Sequence, residues 1–426
     1  MSIPLKIYCP DSTSRHQYIF KLIFNELLGV EYDFCQNAND SIINYSLEPS
    51  TGLICTPQGL LAESDIRDIT IEIKKWDETS CFFKTSNFGL PFDIFSAAFY
   101  LVSRYEEYLD YEPDNHSRFP ASFSIFTKNN LLEEPLVNQW ALKLKGILLS
   151  QDQTLKFSPR AFAFKSTIDI DQAWKFKNKG IARSITGTIR DILHGKWENI
   201  LDRWPVIFGL RDDPFYNFDW QKSIHTKLNI DVLYFVLLGD YGKYDKNINH
   251  KNLSFIKLIA SLENVGIHPS YQSNEKQSEV KNEVHRLNDI RGTKTLKSRQ
   301  HFLMHTMPST YHTLIANGIT EEHTMGYSTH LGFRAGIAAP FYWFDLENNV
   351  ATDLKLIPFC AMDITPLHYR NENPTEAIKS LTSLMTKVKA VDGLFVSLWH
   401  NESFSETERW KGWRKVYELL LQESKN

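Results

Sequence analysis

The chain has 426 residues, 42% of them hydrophobic, and this length accommodates two domains with substantial cores. The formal net charge is −4 with no long run of Lys or Arg, which excludes an extended binding surface for nucleic acid. The amino terminus has no signal-peptide pattern and no later window is apolar enough to span a bilayer, so we expect a cytoplasmic protein without an integral membrane segment.

The first 155 residues predict a small α/β domain. "LKIYCP", "EYDFCQ" and "GLICTP" are typical of short strands. Residues 16–28 predict an amphipathic helix that ends at Gly29, and "PFDIFSAAFYLVSRYEEYLDY" predicts a second, long helix. Charged residues near the end of that helix and beyond it are interpreted as a solvated helix face and a structural loop: Arg104, Glu106, Glu107, His116 and Arg118.

From about residue 156 onward, short apolar strands alternate with helices. Seven or so such units predict a parallel barrel or a doubly wound sheet, and we place the domain boundary so that the domains are 1–155 and 156–426. Residues 175–221 interrupt the alternation and are expected to form an insertion at the mouth of the barrel. The predicted strands are "AFAFKSTID", "IDVLYFVLL", "VGIHPS", "LKSRQHFLM", "HTMGYS", "LKLIPFCAMD" and "LFVSLWH".

Polar side chains follow the ends of these strands. In a barrel of parallel strands the carboxyl ends share one face, and reactive groups gather there. Asp169 and Asp171 are two residues apart and therefore lie on the same face of their strand. Two adjacent carboxylates repel, so one of them must be protonated, bind a cation or stay in open water. The other polar residues at strand ends are His268, His301, Arg334, Asp363 and His400.

One carboxylate and two imidazoles are a common ligand set for a divalent transition metal that keeps positions open for water and substrate. Asp171, His268 and His301 would supply this set. Asp169 would lie beside the metal without being a ligand and would serve as general base. Arg334 could hold Asp169 by a charge-assisted hydrogen bond.

His400, in "SLWHN", would approach from the opposite side as a general acid, and Asp363 would orient and charge it. Simpler interpretations stay open, because Asp-x-Asp can cap a helix, His-Pro can belong to any turn and "GFRAG" can be a glycine-flexed turn. His305 and His312 compete with His301 as the second histidine ligand. His301 is favoured because His305 falls past the strand's end and His312 falls on the following helix.

Several aromatic residues flank or lie within the insertion. They predict either the floor of a sugar-binding subsite or the packing of the insertion onto the barrel, and the two alternatives stay open. The residues are Trp174, Trp204, Phe215, Tyr216 and Trp220.

At these residues the chain resembles the polysaccharide deacetylases, the NodB-homology proteins of carbohydrate esterase family four. The resemblance covers about residues 160 to 424, and the region in front resembles the accessory N-terminal domain of a bacteroidete branch of such proteins. The family's first motif, T-F-D-D-G, is similar to "TIDID", and its fifth is similar to "SLWHN". The second, H-S/T-x-x-H-P, resembles "GIHPSY" with Asn264 in place of the first histidine. "GFRAG" followed by "PF" resembles the third motif, and "AMDIT" resembles the fourth.

The resemblance implies a distorted (β/α)7 barrel, a divalent metal ion with zinc as the first candidate, and hydrolysis of an N-acetyl group on an amino sugar. It implies Asp169 as base and Asp171 and His268 as ligands, with His301 supplying from the next strand the ligand that is missing at Asn264. Through the remaining motifs it also implies roles for Arg334, Asp363 and His400.

We therefore expect a metal-dependent carbohydrate N-deacetylase that acts on an N-acetylated sugar or a glycan precursor. One alternative is a non-haem iron oxygenase, because two histidines and a carboxylate also bind Fe(II). Another is a non-catalytic, glycan-binding deacetylase-like barrel, because the second motif lacks a histidine at Asn264.

Overall fold

The first region is built around a small parallel sheet. The computed structural model describes residues 4–85 and 89–426. The strands and helices of this region are β1 Leu5–Tyr8, α1 Ser14–Phe20, β2 Tyr32–Phe34, β3 Ile43–Asn44, β4 Leu53–Ile54, β5 Lys74–Trp76, β6 Thr79–Cys81, α2 Ile94–Val102, α3 Ile125–Lys128 and α4 Leu136–Gln151. In these described residues the strands pair in parallel in the order β2-β1-β3-β4, and β5 pairs with β6 in antiparallel. The three predicted strands are confirmed as β1, β2 and β4.

Local signals explain where the first helices begin and end. The hydroxyl of Thr13 accepts the N–H of His16 and caps α1. The chain continues as a π-helical segment, Lys21–Leu28, and stops at Gly29, whose φ of +64° is in the left-handed region that favours glycine. This helix and its stop are therefore confirmed. The predicted long second helix is wrong in its later part, because α2 ends before Arg104, which takes a φ of +56°.

The second region is a mixed α/β structure around a large, mainly parallel sheet. Its elements are β7 Ala163–Ile170, α5 Ile181–Leu193, α6 Trp197–Ile207, α7 Phe218–Leu228, β8 Val232–Val236, α8 Leu253–Ser261, β9 Val265–Ile267, α9 Tyr271–Glu275, α10 Ser278–Arg291, β10 Lys297–Ser298, α11 Ser309–Ala316, β11 Glu321–Glu322, β12 Phe341–Asp345, β13 Val350–Leu356, β14 Ala361–Met362, α12 Pro374–Lys389, β15 Leu394–His400 and α13 Trp413–Glu423. The described strands pair in the order β12-β13-β11-β10-β9-β8-β7-β15-β14. Only β12 and β13 run antiparallel within this order.

The predicted strand "LKLIPFCAMD" is two strands, and β12 was not predicted. β13 pairs with β11 at Leu356, whereas β14 pairs with β15 at Ala361. Pro358 lies between these two pairings and has no N–H to donate to a neighbouring strand, so the ladder breaks there. Among the described residues no pairing joins β12 to β14, the two ends of the sheet. The expected (β/α)7 barrel is therefore not confirmed.

The two regions share backbone hydrogen bonds and a core. Phe333 donates its N–H to the carbonyl of Leu132 at 2.6 Å, and Val137 donates to Gly336 at 3.0 Å. At Gly332, with a φ of +114°, a Cβ atom would lie 2.1 Å from the Leu132 oxygen, so only glycine permits this approach. One hydrophobic cluster contains buried side chains of both regions. The division into 1–155 and 156–426 therefore stays a prediction.

None of the helices in the described ranges combines the length and the apolar character that a bilayer span requires.

Candidate metal centre

Three predicted ligands meet at one edge of the large sheet. Asp171 follows β7, His268 follows β9 and His301 follows β10, so the shared direction of the strands brings the three side chains together. One ligand atom from each residue lies within 4.8 Å of the others. The Nε2 atoms of His268 and His301 are 3.3 Å and 3.6 Å from the carboxylate oxygens of Asp171. These residues could hold a metal ion.

Hydrogen bonds at the far side of each ring orient both histidines. Nδ1 of His268 is 2.5 Å from the carbonyl oxygen of Arg299, and Nδ1 of His301 is 2.8 Å from Oδ1 of Asp245. Because a carbonyl or carboxylate oxygen only accepts, each Nδ1 carries a hydrogen, and the neutral form of each ring therefore presents the lone pair of Nε2. Both lone pairs then face Asp171, the arrangement that a metal needs from a histidine ligand.

The carboxylate of Asp171 fits the same interpretation. Its Oδ1 is buried and accepts no hydrogen bond from the described residues. Burial raises the pKa of Asp171, but His301, His268 and His400 outweigh this effect and hold it well below its usual value. Burial likewise lowers the pKa of His301, and Asp171 and Asp245 raise it to about 9. The site therefore favours a positive charge. A divalent cation would supply that charge if it were coordinated by the unpaired carboxylate oxygen and the two imidazoles.

Asp169 lies beside this ligand set and is almost completely buried. Its Oδ1 accepts a hydrogen bond of 2.8 Å from Nη1 of Arg299, and its Oδ2 is 3.7 Å from Nε2 of His268. Arg299 also donates to Thr167 at 2.8 Å and stacks on the ring of Phe235 at 4.5 Å. One oxygen of Asp169 is thus held by a fixed guanidinium, while the other faces the candidate metal site.

The expected contact between Arg334 and Asp169 is not formed. Arg334 instead makes a bidentate ion pair with Glu107, with distances of 2.8 Å and 2.6 Å. Arg104 also binds Glu107 at 2.7 Å and donates to the carbonyl of Arg334. The interpretation of Arg104, Glu106 and Glu107 as a solvated helix face is therefore wrong, because they are buried against the loop that carries Arg334.

His400 and Asp363 lie together on the side opposite His268. Nδ1 of His400 is 3.0 Å from Oδ1 of Asp363, and the backbone N–H of His400 donates to Oδ2 at 2.7 Å. The hydroxyl of Ser403 also donates to Asp363. Burial lowers the pKa of His400, but the charge of Asp363 and its hydrogen bond raise it to about 10. Nε2 of His400 is 4.0 Å from Asp171, so the protonated ring faces the ligand set.

The two competing histidines lie elsewhere. His305 is buried beside Glu107, with Nε2 3.8 Å from Oε2, and neither ring nitrogen has a hydrogen-bond partner among the described residues. Burial and Arg334 lower the pKa of His305 to about 3, although Glu107 raises it. His312 binds Asp345 at 2.6 Å. Of the three histidines, the structure places His301 in the cluster with Asp171.

A cavity of about 310 Å³ opens over these residues. Its wall includes His116 and Arg118, so the loop of the first region that carries them reaches this cavity. His116 Nδ1 is 3.2 Å from the hydroxyl of Tyr271, and Arg118 donates to the carbonyl of Phe302 at 2.6 Å. Sequence reasoning also missed other members of the wall: Gln300, Tyr369, Glu402, Arg409 and Trp410.

Residues 5–153 match a family described as a family of unknown function, DUF7033. No curated protein matches this chain. A solved structure described as "Crystal structure of putative polysaccharide deacetylase from Mycobacterium smegmatis" is similar to this chain, with 14% sequence identity and a TM-score of 0.39 over 62% of this chain and 84% of that one.

The aromatic residues predicted to form either a sugar subsite or packing contacts do not line this cavity: Trp174, Trp204, Phe215, Tyr216 and Trp220. Trp174 stacks on Tyr216 with ring centroids 5.3 Å apart, and Trp220 contacts the ring of Phe404 at 5.2 Å. Trp410, which follows β15, is the tryptophan that reaches the cavity wall. Packing is therefore the role that the structure gives to Trp174 and Trp220.

Proposed function

We propose that this chain is a metal-dependent hydrolase that removes an N-acetyl group from an amino sugar or a glycan precursor. The observation that carries the proposal is the candidate ligand set itself, in which Nε2 of His268 faces Oδ1 of Asp171 and Nε2 of His301 faces Oδ2. The motifs that resemble the polysaccharide deacetylases support it, because "TIDID" and "SLWHN" supply Asp171 and His400 to the same cavity.

A divalent ion, zinc in the first place, would polarise the acyl carbonyl and acidify a water molecule. Asp169 takes the proton of the attacking water at Oδ2, because Oδ1 is held by Arg299. His400 donates a proton from Nε2 to the departing amine, and Asp363 keeps that ring charged and oriented. A buried base and a charged histidine lie on two sides of the ligand set, an arrangement that amide hydrolysis uses.

We also propose that the large sheet is a distorted (β/α)7 barrel whose closure is interrupted at Pro358. The segment that contains β13 and β14 can be counted as one bent strand. The described chain then has seven parallel strands: β7, β8, β9, β10, β11, this segment and β15. The bent segment contacts β11 with one end and β15 with the other, which supports the proposal.

The decisive experiment separates metal binding from catalysis. Asp169→Asn should retain bound metal while acetate release from an N-acetylated amino sugar falls by about 10² or more, because the base is lost. His268→Ala and His301→Ala should lose the metal, measured by elemental analysis of purified protein, while the half-exposed His312→Ala should keep it. Full turnover by Asp169→Asn, or loss of metal from His305→Ala with retention in His301→Ala, contradicts the assignment.

The same ligand set also suits Fe(II), so a non-haem iron oxygenase is the second candidate. Oxygen uptake by the iron-loaded protein would support it. The positions of the buried Asp169 and of His400 beside Asp363 favour hydrolysis, because both residues are placed for proton transfer.

A further inference from the structure

The hairpin of α5 and α6 presents its apolar side to solvent. Ile181 and Leu193 are 75% and 78% exposed, and Leu201 of α6 is 70% exposed. Ile181, Ile185 and Ile192 are spaced at i, i+4 and i+11, so they lie on one face of α5. A helix at a protein surface normally turns this face toward the core. The exposed apolar residues of the hairpin are Ile181, Ile185, Ile189, Ile192, Leu193, Trp197, Leu201 and Phe208, with Leu210 immediately after it.

Specific polar contacts hold the hairpin in this orientation. Asp191 of α5 forms a buried ion pair with Arg203 of α6. The guanidinium of Arg203 lies over the ring of Phe176 at 4.8 Å, and a Cβ atom on Gly187 would be 2.6 Å from its Nη1. Arg183 donates to the carbonyl of Lys246 at 2.7 Å. The polar face of the hairpin is therefore the face that packs on the protein.

The charge of this segment differs from that of the rest of the chain. Residues 175–213 contain eight Lys or Arg and five Asp or Glu, a net charge of +3, while the other 387 residues carry −7. Asp191 and Arg203 are buried as an ion pair, and Asp213 is buried as well, so these three charges do not face solvent. Arg190 and Lys196 are exposed beside the apolar stripe. A stripe of Ile, Leu, Phe and Trp with basic residues beside it complements a surface that has an anionic outer layer and an apolar interior.

The hairpin is anchored at the edge of the sheet that carries the candidate metal centre. It begins shortly after Asp171, and Asp213 closes its base by accepting the N–H groups of Lys175 and Phe176 at 2.7 Å and 2.8 Å. Asn401, next to His400, donates to the carbonyl of Gln172 at 3.0 Å. Any surface that covers the hairpin therefore lies beside the strand ends that hold Asp171 and His400.

We propose that the α5–α6 hairpin docks this protein on the surface of a lipid bilayer that contains anionic lipids. The apolar stripe enters the interface between headgroups and acyl chains, and the basic residues bind the headgroups. The helices have 13 and 11 residues, so they lie in the interface and do not cross the bilayer. Combined with the proposed function, and resting on it, the docking places the N-acetylated sugar on a membrane lipid carrier.

Vesicle flotation with the full chain tests the docking directly. The wild type should float with vesicles of phosphatidylcholine and phosphatidylglycerol and bind phosphatidylcholine vesicles more weakly. Ile185→Asp/Ile189→Asp should lower the vesicle partition coefficient by about tenfold or more, because two charges enter the interface. Ile185→Gln/Ile189→Gln should also weaken vesicle binding. Because glutamine has a high helix propensity, this variant lowers the apolar character of the face without disfavouring the helix. Leu47→Asp/Ile315→Asp, at exposed apolar positions outside the hairpin, should bind as the wild type does.

Other outcomes overturn the proposal. Absence of wild-type flotation, or equal flotation of the Ile185/Ile189 variants, contradicts docking by this face. A dimer in analytical ultracentrifugation that the same variants dissociate, without vesicle binding, would assign the stripe to a second copy of the chain. The assay needs no substrate, so it is independent of the hydrolase proposal. The variants should keep their metal content and their turnover of a water-soluble N-acetylated sugar.

Discussion

Replacing Glu107 by glutamine removes one negative charge from a buried cluster that joins the two regions of the chain. Glu107 binds Arg334 through both carboxylate oxygens and Arg104 through one of them. The side chains of all three residues are at most 3% exposed. Arg104 has a second acidic partner, Glu106, at 2.8 Å, whereas Arg334 has none besides Glu107 in the described chain. The variant therefore leaves Arg334 buried with its charge uncompensated.

The structure sets the size of the effect. Removing one partner of a buried ion pair costs about 3 to 5 kcal/mol, because the remaining charge keeps its desolvation penalty. Glutamine has the volume of glutamate and still accepts one hydrogen bond, so we expect the lower end, about 3 kcal/mol. Burial raises the pKa of Glu107, but Arg334 and Arg104 outweigh burial and lower it far below 4.5. The ionised carboxylate thus contributes stability above pH 4.5, and this contribution is lost as the pH falls below that value.

Urea denaturation followed by circular dichroism measures the loss, with Glu63→Gln as the matched control. Glu63 also pairs in bidentate fashion with an arginine, Arg67, but at the surface, so its replacement should cost less than about 1 kcal/mol. The difference between the wild type and Glu107→Gln should shrink when the pH is lowered below 4.5. A loss below about 1 kcal/mol at neutral pH for Glu107→Gln would refute the reasoning from burial.

Three further predictions concern the candidate site and the core. Asp245→Asn should weaken metal binding by about 10- to 100-fold in chelator competition, because the Nδ1–H of His301 loses its charged acceptor. Arg299→Met should keep bound metal and lower turnover by up to about 10²-fold, because Asp169 loses its guanidinium partner. Trp140→Ala should lower the free energy of unfolding by about 3 to 5 kcal/mol in urea, because a fully buried indole leaves a cavity.

Each of these predictions has a matched control. The exposed Asp240→Asn should leave metal affinity unchanged, and an Asp245→Asn protein that binds metal as tightly as the wild type would contradict the outer hydrogen bond's role. Loss of metal from Arg299→Met would mean that the arginine supports the ligands and not the base. Trp197 is 62% exposed, so Trp197→Ala should change the free energy of unfolding by less than about 0.5 kcal/mol. If Trp140→Ala and Trp197→Ala lowered the free energy of unfolding equally, burial would not govern the effect.

The cluster of candidate ligands could be predicted from the sequence because it depends on local information. Asp169 lies near the end of one strand, Asp171 follows it, and His268 and His301 follow two others, so alternation and strand direction suffice to place them at one edge. Arg299 was missed although it precedes His301 by two residues and the same alternation rule marks it. Asp245 lies in an irregular stretch between β8 and α8, and no local pattern indicates that it contacts His301.

Long-range contacts explain the wrong predictions. Glu107 and Arg334 are 227 residues apart, so a helical pattern of charged residues looks solvated until its partner is known. Arg104 ends the predicted helix because its left-handed backbone directs the guanidinium to Glu107. The spacing of residues 181–193 shows that the helix has an apolar face, but spacing carries no information about which face meets the protein.

The backbone contacts between Leu132 and Phe333, and between Val137 and Gly336, limit how the chain can be divided. The segment that contains Phe333 and Gly336 continues to Ala338, which contacts β15: Leu394 donates its N–H to the carbonyl of Ala338 at 2.8 Å. A shortened chain that begins at residue 156 would lose Leu132 and Val137, whose backbone contacts hold the segment that pairs with the start of β15, the strand that ends in His400. The segment before residue 156 therefore contacts the scaffold of the large sheet, and a protein prepared without it is not expected to keep the geometry of the candidate metal centre.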